Sequence, residues 1–478
     1  MRIVYAPVLL ALFACRSDAL TRPNAKPDPD TDTDSSAHGD PPGNVMVLIL
    51  DDMGLEQISA YGVHPEPAPT PNIDALAAEG VLFRSAWSNP SCSPTRASML
   101  TGRHGRRTGI GRWIFPLLSL NPLPLDEVTI PEVLAYAQDD WATSAVGKWH
   151  LSDGSPSRLT HAVDSGFDWF SGTLANVENH TDNPGGTVDY YHHQIVVDGE
   201  LVWKEGYVTS ETVDDAIARV DAMPEPWFMW VGFNAPHVPI HIPPDDLHSF
   251  DLDEDSSELD MYRAMCESLD TEIGRLLSSI DPEELARTTI LLVGDNGSIS
   301  YALTPPLDPT RAKGTVFEGG VNVPLIVTGP HVTQPGSESS ALVHVLDVFA
   351  TVAELAGVSL DDVPSELTGE PVVVDSQSLM PYITEPGTPS QREFLYTEGF
   401  FRNGAGPYVE DQKAVRDEHY KLIDVVGVYT RLYEFVAPFN EGDALPLDAL
   451  TPEQSAAYER LTTEMTRLGE ELLFDHDR

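Results

Sequence analysis

The chain has 478 residues, enough for one large domain and a smaller one, since a single core stops growing near ~250–300 residues. Hydrophobic residues at 41% and charged residues at 22% exclude a disordered or membrane-spanning chain. Lys and Arg number 28 against 75 Asp and Glu, a formal net charge of −47. Such a surface repels nucleic acid and anionic lipid, so no nucleic-acid partner is expected, and an anionic substrate would require a local positive island.

Residues 1–20 read as an export signal, with Arg2 as a thin basic start and Val8 to Ala14 as an apolar core too short to span a bilayer. The run Leu12-Phe13-Ala14-Cys15 is similar to a bacterial lipoprotein processing box, so a lipid on Cys15 is expected. That placement means the periplasm or cell envelope, with the lipid as the membrane attachment. Residues 21–43, acidic and rich in Pro, Thr and Ser, read as a disordered tether.

Apolar runs at Val45–Leu50, Thr143–Val146, Trp227–Phe233, Thr289–Val293, Val323–Thr328 and, more weakly, Ile195–Val197 read as strands buried on both faces. Between them lie helical stretches: Asn72–Glu79, Pro94–Leu100, Pro131–Ala137, Ser210–Met223, Leu259–Ile280 and Val345–Ala356, the last stopped by Gly357. This alternation predicts an α/β domain over residues 44–375, with a large, mostly parallel sheet sandwiched by helices. From 376 to 478 the character changes. Short strands at Phe394–Thr397, Ala414–Asp424 and Arg431–Phe435, then a long amphipathic helix Pro452–Leu473, predict a smaller domain of antiparallel sheet plus helix.

In open α/β sheets ligands bind beyond the carboxyl ends of the strands. The first strand ends in Asp51-Asp52 and a later one in Gly294-Asp295-Asn296-Gly297. Two pairs of hard oxygen donors suit calcium or magnesium, although Asp and Asn also begin ordinary turns. Other ends carry Lys148 with His150, and His237, while Lys313 follows the second acidic pair. Together these cations would make the positive island. Of the three cysteines, Cys15, Cys92 and Cys266, the last sits in an apolar helical pattern and reads as structural. Cys92 instead lies among Asn89, Ser91 and Ser93, before a helix starting at Pro94 and one turn from Arg96, a setting that favours a reactive group.

The segment Cys92-Ser93-Pro94-Thr95-Arg96-Ala97-Ser98-Met99-Leu100-Thr101-Gly102 resembles the modification signature of the formylglycine-dependent sulfatases, a family within the alkaline-phosphatase superfamily. Gly147-Lys148-Trp149-His150-Leu151 resembles their second signature. The likeness continues through Leu50-Asp51-Asp52-Met53-Gly54, Ala235-Pro236-His237, Gly294-Asp295-Asn296-Gly297, Glu318-Gly319-Gly320, Ala414-Val415-Arg416 and Tyr420-Lys421-Leu422. The resemblance implies an alkaline-phosphatase-like fold and sulfuric ester hydrolysis. It implies that a separate maturation enzyme oxidises Cys92 to formylglycine, whose hydrated form attacks sulfur to give a covalent sulfo-enzyme. It further implies one calcium ion held by Asp51, Asp52, Asp295, Asn296 and the modified Cys92. Arg96 and Lys148 would stabilise the modified side chain, His150 would assist elimination, and His237 with Lys313 would bind sulfate and protonate the leaving alcohol.

Two departures fall near segments that shape a pocket: Asn322 where a basic residue is common, and Ser298-Ile299-Ser300-Tyr301 where some members carry a His. The expected substrate is a sulfate ester, either a sulfated carbohydrate or an aryl sulfate. The nearest rival is a phosphonate or phosphate ester hydrolase using the same formylglycine site. A glycan-binding protein that never matures its cysteine would have no need of the full set from Asp51 to Lys313. Loop 173–209, with His180, Tyr190, Tyr191, His192 and His193, is expected to line the pocket and to suit a sugar.

Overall fold

The structure, a computed structural model, describes residues 43–115, 121–177, 188–365, 367–436 and 439–472. The expected export segment, Cys15, the tether and His180 lie outside the described residues. Among the described residues no helix is long and apolar enough to cross a membrane.

The large sheet contains β1 (Asn44–Leu50), β2 (Val81–Trp87), β3 (Ala142–Gly147), β4 (Trp169–Gly172), β5 (His192–Val197), β6 (Glu200–Glu205), β7 (Trp227–Gly232), β8 (Thr288–Gly294), β9 (Leu325–Thr328) and β10 (Ser337–His344). Their order across the sheet is β10-β2-β9-β8-β1-β7-β3-β4-β5-β6. The middle run β8-β1-β7-β3-β4 is parallel, while β9, β5 and β6 bring antiparallel pairings. Alternate residues of the central strands feed two cores. Val45, Val47 and Ile49 join Ala97, Met99, Val348 and Phe349 on one face. Met46, Leu48 and Leu50 join Ile73, Val213, Met265 and Leu269 on the other. Because both faces are covered, the strands are continuous apolar runs with no polar alternation.

Four strands escaped the sequence pattern, and each for a visible reason. Glu200–Glu205 and Ser337–His344 are the two edge strands, the first exposed or half-buried along its length and the second polar over its first four residues. Trp169–Gly172 has only four residues. Val81–Trp87 is interrupted by Arg84, whose guanidinium leaves the core to bond the Tyr61 carbonyl at 2.5 Å and to pair with Glu338.

The second sheet, in order, is β11 (Leu395–Phe401), β12 (Val409–Arg416), β13 (Tyr420–Val425) and β14 (Tyr429–Glu434), antiparallel throughout. The expected single strand Ala414–Asp424 is therefore a hairpin. Asp417 turns the chain by accepting bonds from the backbone N–H groups of His419 and Tyr420, both at 2.8 Å. The helix Pro452–Glu471 covers this sheet through Ala457, Leu461 and Met465.

A buried ionic hub joins the two sheets. Glu318, only 1% exposed, accepts from Trp87 Nε1 at 3.0 Å, Lys421 Nζ at 3.0 Å and Arg416 Nη1 at 3.4 Å. Glu441 shares Lys421 at 3.3 Å and caps the Glu318 N–H at 2.6 Å. Removing one charge from such a hub strands the others in a dry interior. Glu318→Gln is expected to lower stability by about 3–5 kcal/mol, read as a reduced urea midpoint in chemical denaturation.

Candidate active site

The carboxyl ends of the parallel strands meet at one edge. Leu50 pairs with Gly294 and Gly147 with Gly232, so Asp51-Asp52, Asp295-Asn296, Lys148 and the loop to His237 emerge side by side. Gly147 has φ of +81°, and a Cβ there would stand 2.0 Å from the Gly232 carbonyl oxygen; only glycine lets the chain carry Lys148 so close to its neighbour. The strand β2 delivers Cys92 to the same edge through a four-residue connection, 88–91.

The helix Cys92–Thr101 begins at Cys92 itself, not at Pro94, with Ser91 as an extended N-cap. Its start is wholly buried and braced by polar groups. Asn89 Nδ2 donates to the Pro94 carbonyl at 3.1 Å and to Ser98 Oγ at 3.0 Å, and Thr95 Oγ1 donates to the Ser91 carbonyl at 3.0 Å. Part of the polar setting around the cysteine is thus scaffolding for a buried helix end. Cys92 Sγ lies 3.6 Å from Asp51 Oδ1 and 3.5 Å from Lys313 Nζ. Burial pushes its thiol up to about 12, against the pull of Lys148 and Lys313, so the unmodified side chain is no ready thiolate. Both Cys92 and Cys266 are free and buried.

Three carboxylates and three cations interlock around the sulfur. Arg96, with no exposed side-chain surface, donates to Asp295 Oδ2 from Nε at 3.1 Å and Nη2 at 3.0 Å, and to the Lys148 carbonyl at 2.8 Å. Lys148 Nζ pairs with Asp51 Oδ2 and donates to Asn176 Oδ1 at 2.5 Å. Lys313 Nζ pairs with Asp52 Oδ1 at 2.5 Å. Burial raises the Asp51 carboxyl, but Lys148 with His237, Arg96 and Lys313 outweighs it and holds Asp51 well below the usual range. Asp295 is pushed up to about 7 by burial and by the neighbouring Asp51 charge.

The two histidines have defined tautomers. His150 Nε2 faces the Ile114 carbonyl at 3.0 Å; a carbonyl only accepts, so Nε2 carries the proton and the buried Nδ1 is a lone pair with no partner. Burial, then Lys148 and Arg96, push His150 well below its ordinary value, so it is neutral. His237 Nδ1 likewise donates to the Val238 carbonyl at 2.8 Å. Its Nε2 lone pair then faces Asp52 Oδ2 at 3.7 Å, an oxygen that is buried and otherwise unpartnered. Two lone pairs pointed at each other repel unless a proton or a cation lies between them.

That juxtaposition is the test for a metal, and the residues fit one. Ligand atoms of Asp51, Asp52, Cys92 and His237 lie within 4.8 Å of one another. Asn296 adds a buried Oδ1 without a partner, its Nδ2 being spent on Asp52 Oδ1 at 2.8 Å. Hard carboxylate and amide oxygens suit calcium. Asp295, of the expected ligand set, gives one oxygen to Arg96 and receives the Asp52 N–H at 3.3 Å on the other. Asp52 and His150 hold left-handed backbone, φ +68° and +60°, and such strain collects at functional positions. The Asp52 conformation is propped by Tyr262, whose hydroxyl donates to the Asp52 carbonyl at 2.6 Å and meets Ser298 Oγ at 2.9 Å. Neither Tyr262 nor Asn176 carried a signal in the sequence. Of the loop expected to line the pocket, Tyr190 is buried, its hydroxyl within 2.7 Å of the His237 carbonyl, while His193 pairs inward with Glu211 at 2.9 Å.

The carboxyl edge of this mostly parallel α/β sheet thus gathers a buried cysteine, three acids and three cations into one candidate site suited to an anionic ester. Residues 43–358 match the model of the sulfatase family, and residues 311–450 match that of the N-sulphoglucosamine sulphohydrolase C-terminal region. The chain belongs to the sulfatase family of enzymes. Arylsulfatase G of Rattus norvegicus is 30% identical over 363 residues, 67% of this chain and 66% of that protein. The chain thus spans about two thirds of that relative's length. N-acetylgalactosamine-6-sulfatase of Sus scrofa is 29% identical over 389 residues, 75% of this chain and 69% of the relative. The same fold occurs in Ps i-CgsB in complex with k-i-k-neocarrahexaose, with TM-score 0.74, 24% identity and coverage of 89% of this chain and 92% of that one. It occurs again in BT4656 in complex with D-Glucosamine-2-N, 6-O-disulfate, with TM-score 0.65, 20% identity and coverage of 90% and 98%.

Calcium added to chelator-stripped protein is expected to raise stability by about 2.7 kcal/mol at 100-fold excess over Kd, read as an upward shift of Tm in calorimetry. Asp52→Ala should remove the shift.

Proposed function

We propose that this sulfatase hydrolyses sulfate esters of carbohydrates through a formylglycine formed from Cys92 and a calcium ion held by Asp51, Asp52, Asp295 and Asn296. The observation that carries the reading is the placement of Cys92 Sγ between an acid and a cation, 3.6 Å from Asp51 and 3.5 Å from Lys313, inside a free-oxygen cradle. When present, formylglycine supplies a hydrated aldehyde as nucleophile, and calcium supplies charge neutralisation on the sulfate oxygens. The rest falls to the chain's own side chains. Lys313 and Lys148 place two ammonium groups where negative charge develops, in a site dry enough to make them effective. Arg96 is spent on Asp295 and on the Lys148 carbonyl, so it orients those groups. Neutral His150, with its free Nδ1, is the base. His237 Nε2 and Lys313 Nζ are the groups to shuttle a proton to the leaving oxygen.

The carbohydrate part rests on the relatives. N-acetylgalactosamine-6-sulfatase and the complexes of BT4656 and Ps i-CgsB carry sugars in their names. Export as a lipoprotein through Cys15 belongs to the same proposal, supported by the processing-box pattern in the sequence. Cys92, Pro94 and Arg96 are all buried, so a maturation enzyme must read this segment before the chain closes over it.

Mass spectrometry of the peptide containing Cys92, from the native host, should find the aldehyde; an unmodified thiol would refute the reaction as stated. Cys92→Ser should cut turnover by about 10³-fold or more while the fold persists. Parallel kcat/KM values on an aryl sulfate and an aryl phosphonate ester should favour the sulfate, and the reverse order would assign the site to phosphonate chemistry.

A further inference from the structure

Beside the nucleophile helix, the segment 109–114 forms a rim tied to the reacting groups. Ile114 donates its N–H to Ser93 Oγ at 2.9 Å and offers its carbonyl to His150 at 3.0 Å. It therefore touches both the neighbour of Cys92 and the base. The residues just before it run out to the surface. Trp113 is 43% exposed, although large aromatic rings are normally hidden. Across from it, at the end of β11, Phe401 is 40% exposed.

Neither ring sits on a loose loop. The Phe400 N–H bonds the Gly111 carbonyl at 3.1 Å, and the Gly404 N–H bonds the Gly109 carbonyl at 2.6 Å. Asn403 stitches the same two segments, accepting from the N–H groups of Gly111 at 3.1 Å and Arg112 at 3.0 Å while donating to the Arg112 carbonyl at 3.1 Å. Between the rings lies Arg112, its guanidinium carbon 3.9 Å over Trp113 and 5.3 Å over Phe401, pinned by Glu410 at 2.5 Å. Guanidinium over aromatic faces stiffens both partners. Next in the chain is Arg402, exposed and engaged in none of the hydrogen bonds or ion pairs among the described residues.

We propose that Trp113, Arg112, Phe401 and Arg402 form a sugar-binding subsite at the mouth of the active site, which takes a neighbouring ring of an anionic oligosaccharide. The exposed ring surfaces not covered by Arg112 take the apolar C–H face of a pyranose, and the free Arg402 fork pairs with an anionic substituent. Because Ile114 links this rim to Ser93 and His150, a sugar held here sets the register of the ester presented to position 92. The subsite rests on the carbohydrate reading above and goes beyond it, since it requires more than one sugar ring and names the residues that select for length.

The experiment is isothermal titration calorimetry on the full chain carrying Cys92→Ala. The probes are sulfated hexasaccharides from carrageenan, heparin and chondroitin sulfate, each paired with its own sulfated monosaccharide. At least one hexasaccharide should bind about tenfold more tightly than its monosaccharide. Trp113→Ala should abolish that advantage, Trp113→Phe should keep most of it, and Arg402→Gln should weaken binding and flatten its salt dependence. Should Trp113→Ala fail to fold, judged by its urea midpoint, Phe401→Ser must produce the same loss. A length advantage that survives both substitutions, or no advantage for any hexasaccharide, overturns the subsite. The sulfatase reading fails by a different measurement: a matured parent enzyme, with its aldehyde confirmed, that hydrolyses no sulfate ester.

Discussion

Three buried carboxylates, Asp51, Asp52 and Asp295, must share one small volume with Arg96, Lys148 and Lys313. Taking such charges out of water costs several kcal/mol each, and the cost is offset only where every charge meets a partner of good geometry. Much of the architecture follows from that requirement. Adjacent parallel strands put the acids of β1 and β8 in register. Gly147 lets Lys148 turn in against the Gly232 carbonyl. The helix starting at Cys92 carries Arg96 one turn along, to Asp295. Cys92 at this place is surrounded by largely buried charge that water and bulk salt screen only weakly.

The same cluster leaves some of its polar atoms unpaired. Burial and the Asp51 charge push the Asp295 carboxyl up, Asp52 and Asn296 each keep a buried oxygen without a partner, and His237 turns a lone pair toward Asp52. These features fit a candidate site for a divalent cation among hard oxygens. Preorganisation here extends outward: Tyr262 and Ser298 prop the strained Asp52, Asn176 orients Lys148, and Ile114 fixes the tautomer of His150. The second sheet enters through Glu318, which ties Trp87 at the end of β2 to Lys421 and Arg416. The strand that leads to Cys92 is thus braced by the smaller sheet, and the rim at Trp113 is braced by its first strand.

Central strands were legible because a strand covered on both faces must be apolar throughout. Val45–Leu50 and Thr289–Val293 therefore appear almost as the structure has them. Edge strands were not, since Glu200–Glu205 is exposed or half-buried throughout and Ser337–His344 starts on a polar, partly exposed stretch, so neither shows a full apolar run. The hairpin within Ala414–Asp424 was hidden because its turn depends on one Asp side chain and not on glycine or proline. Among the site residues, the acidic pairs, Lys148 and the histidines announced themselves by lying at or just past strand ends, and Lys313 by following the second acidic pair. Asn176, Tyr262 and Ile114 did not, for their contribution is a bond to a residue distant in the chain.

Order along the chain by itself determined the fold class, the family, and the chemical types at each strand end, because strand periodicity and short motifs are local properties. Only the tertiary structure decided which oxygens of the acids stay free, which histidine nitrogen carries the proton, and that the Cys92 thiol is suppressed by burial and not activated by its helix. Those are differences of a few tenths of a nanometre between groups scattered from residue 51 to residue 313, and solvation and Coulomb energies at such range depend on that packing and on nothing local.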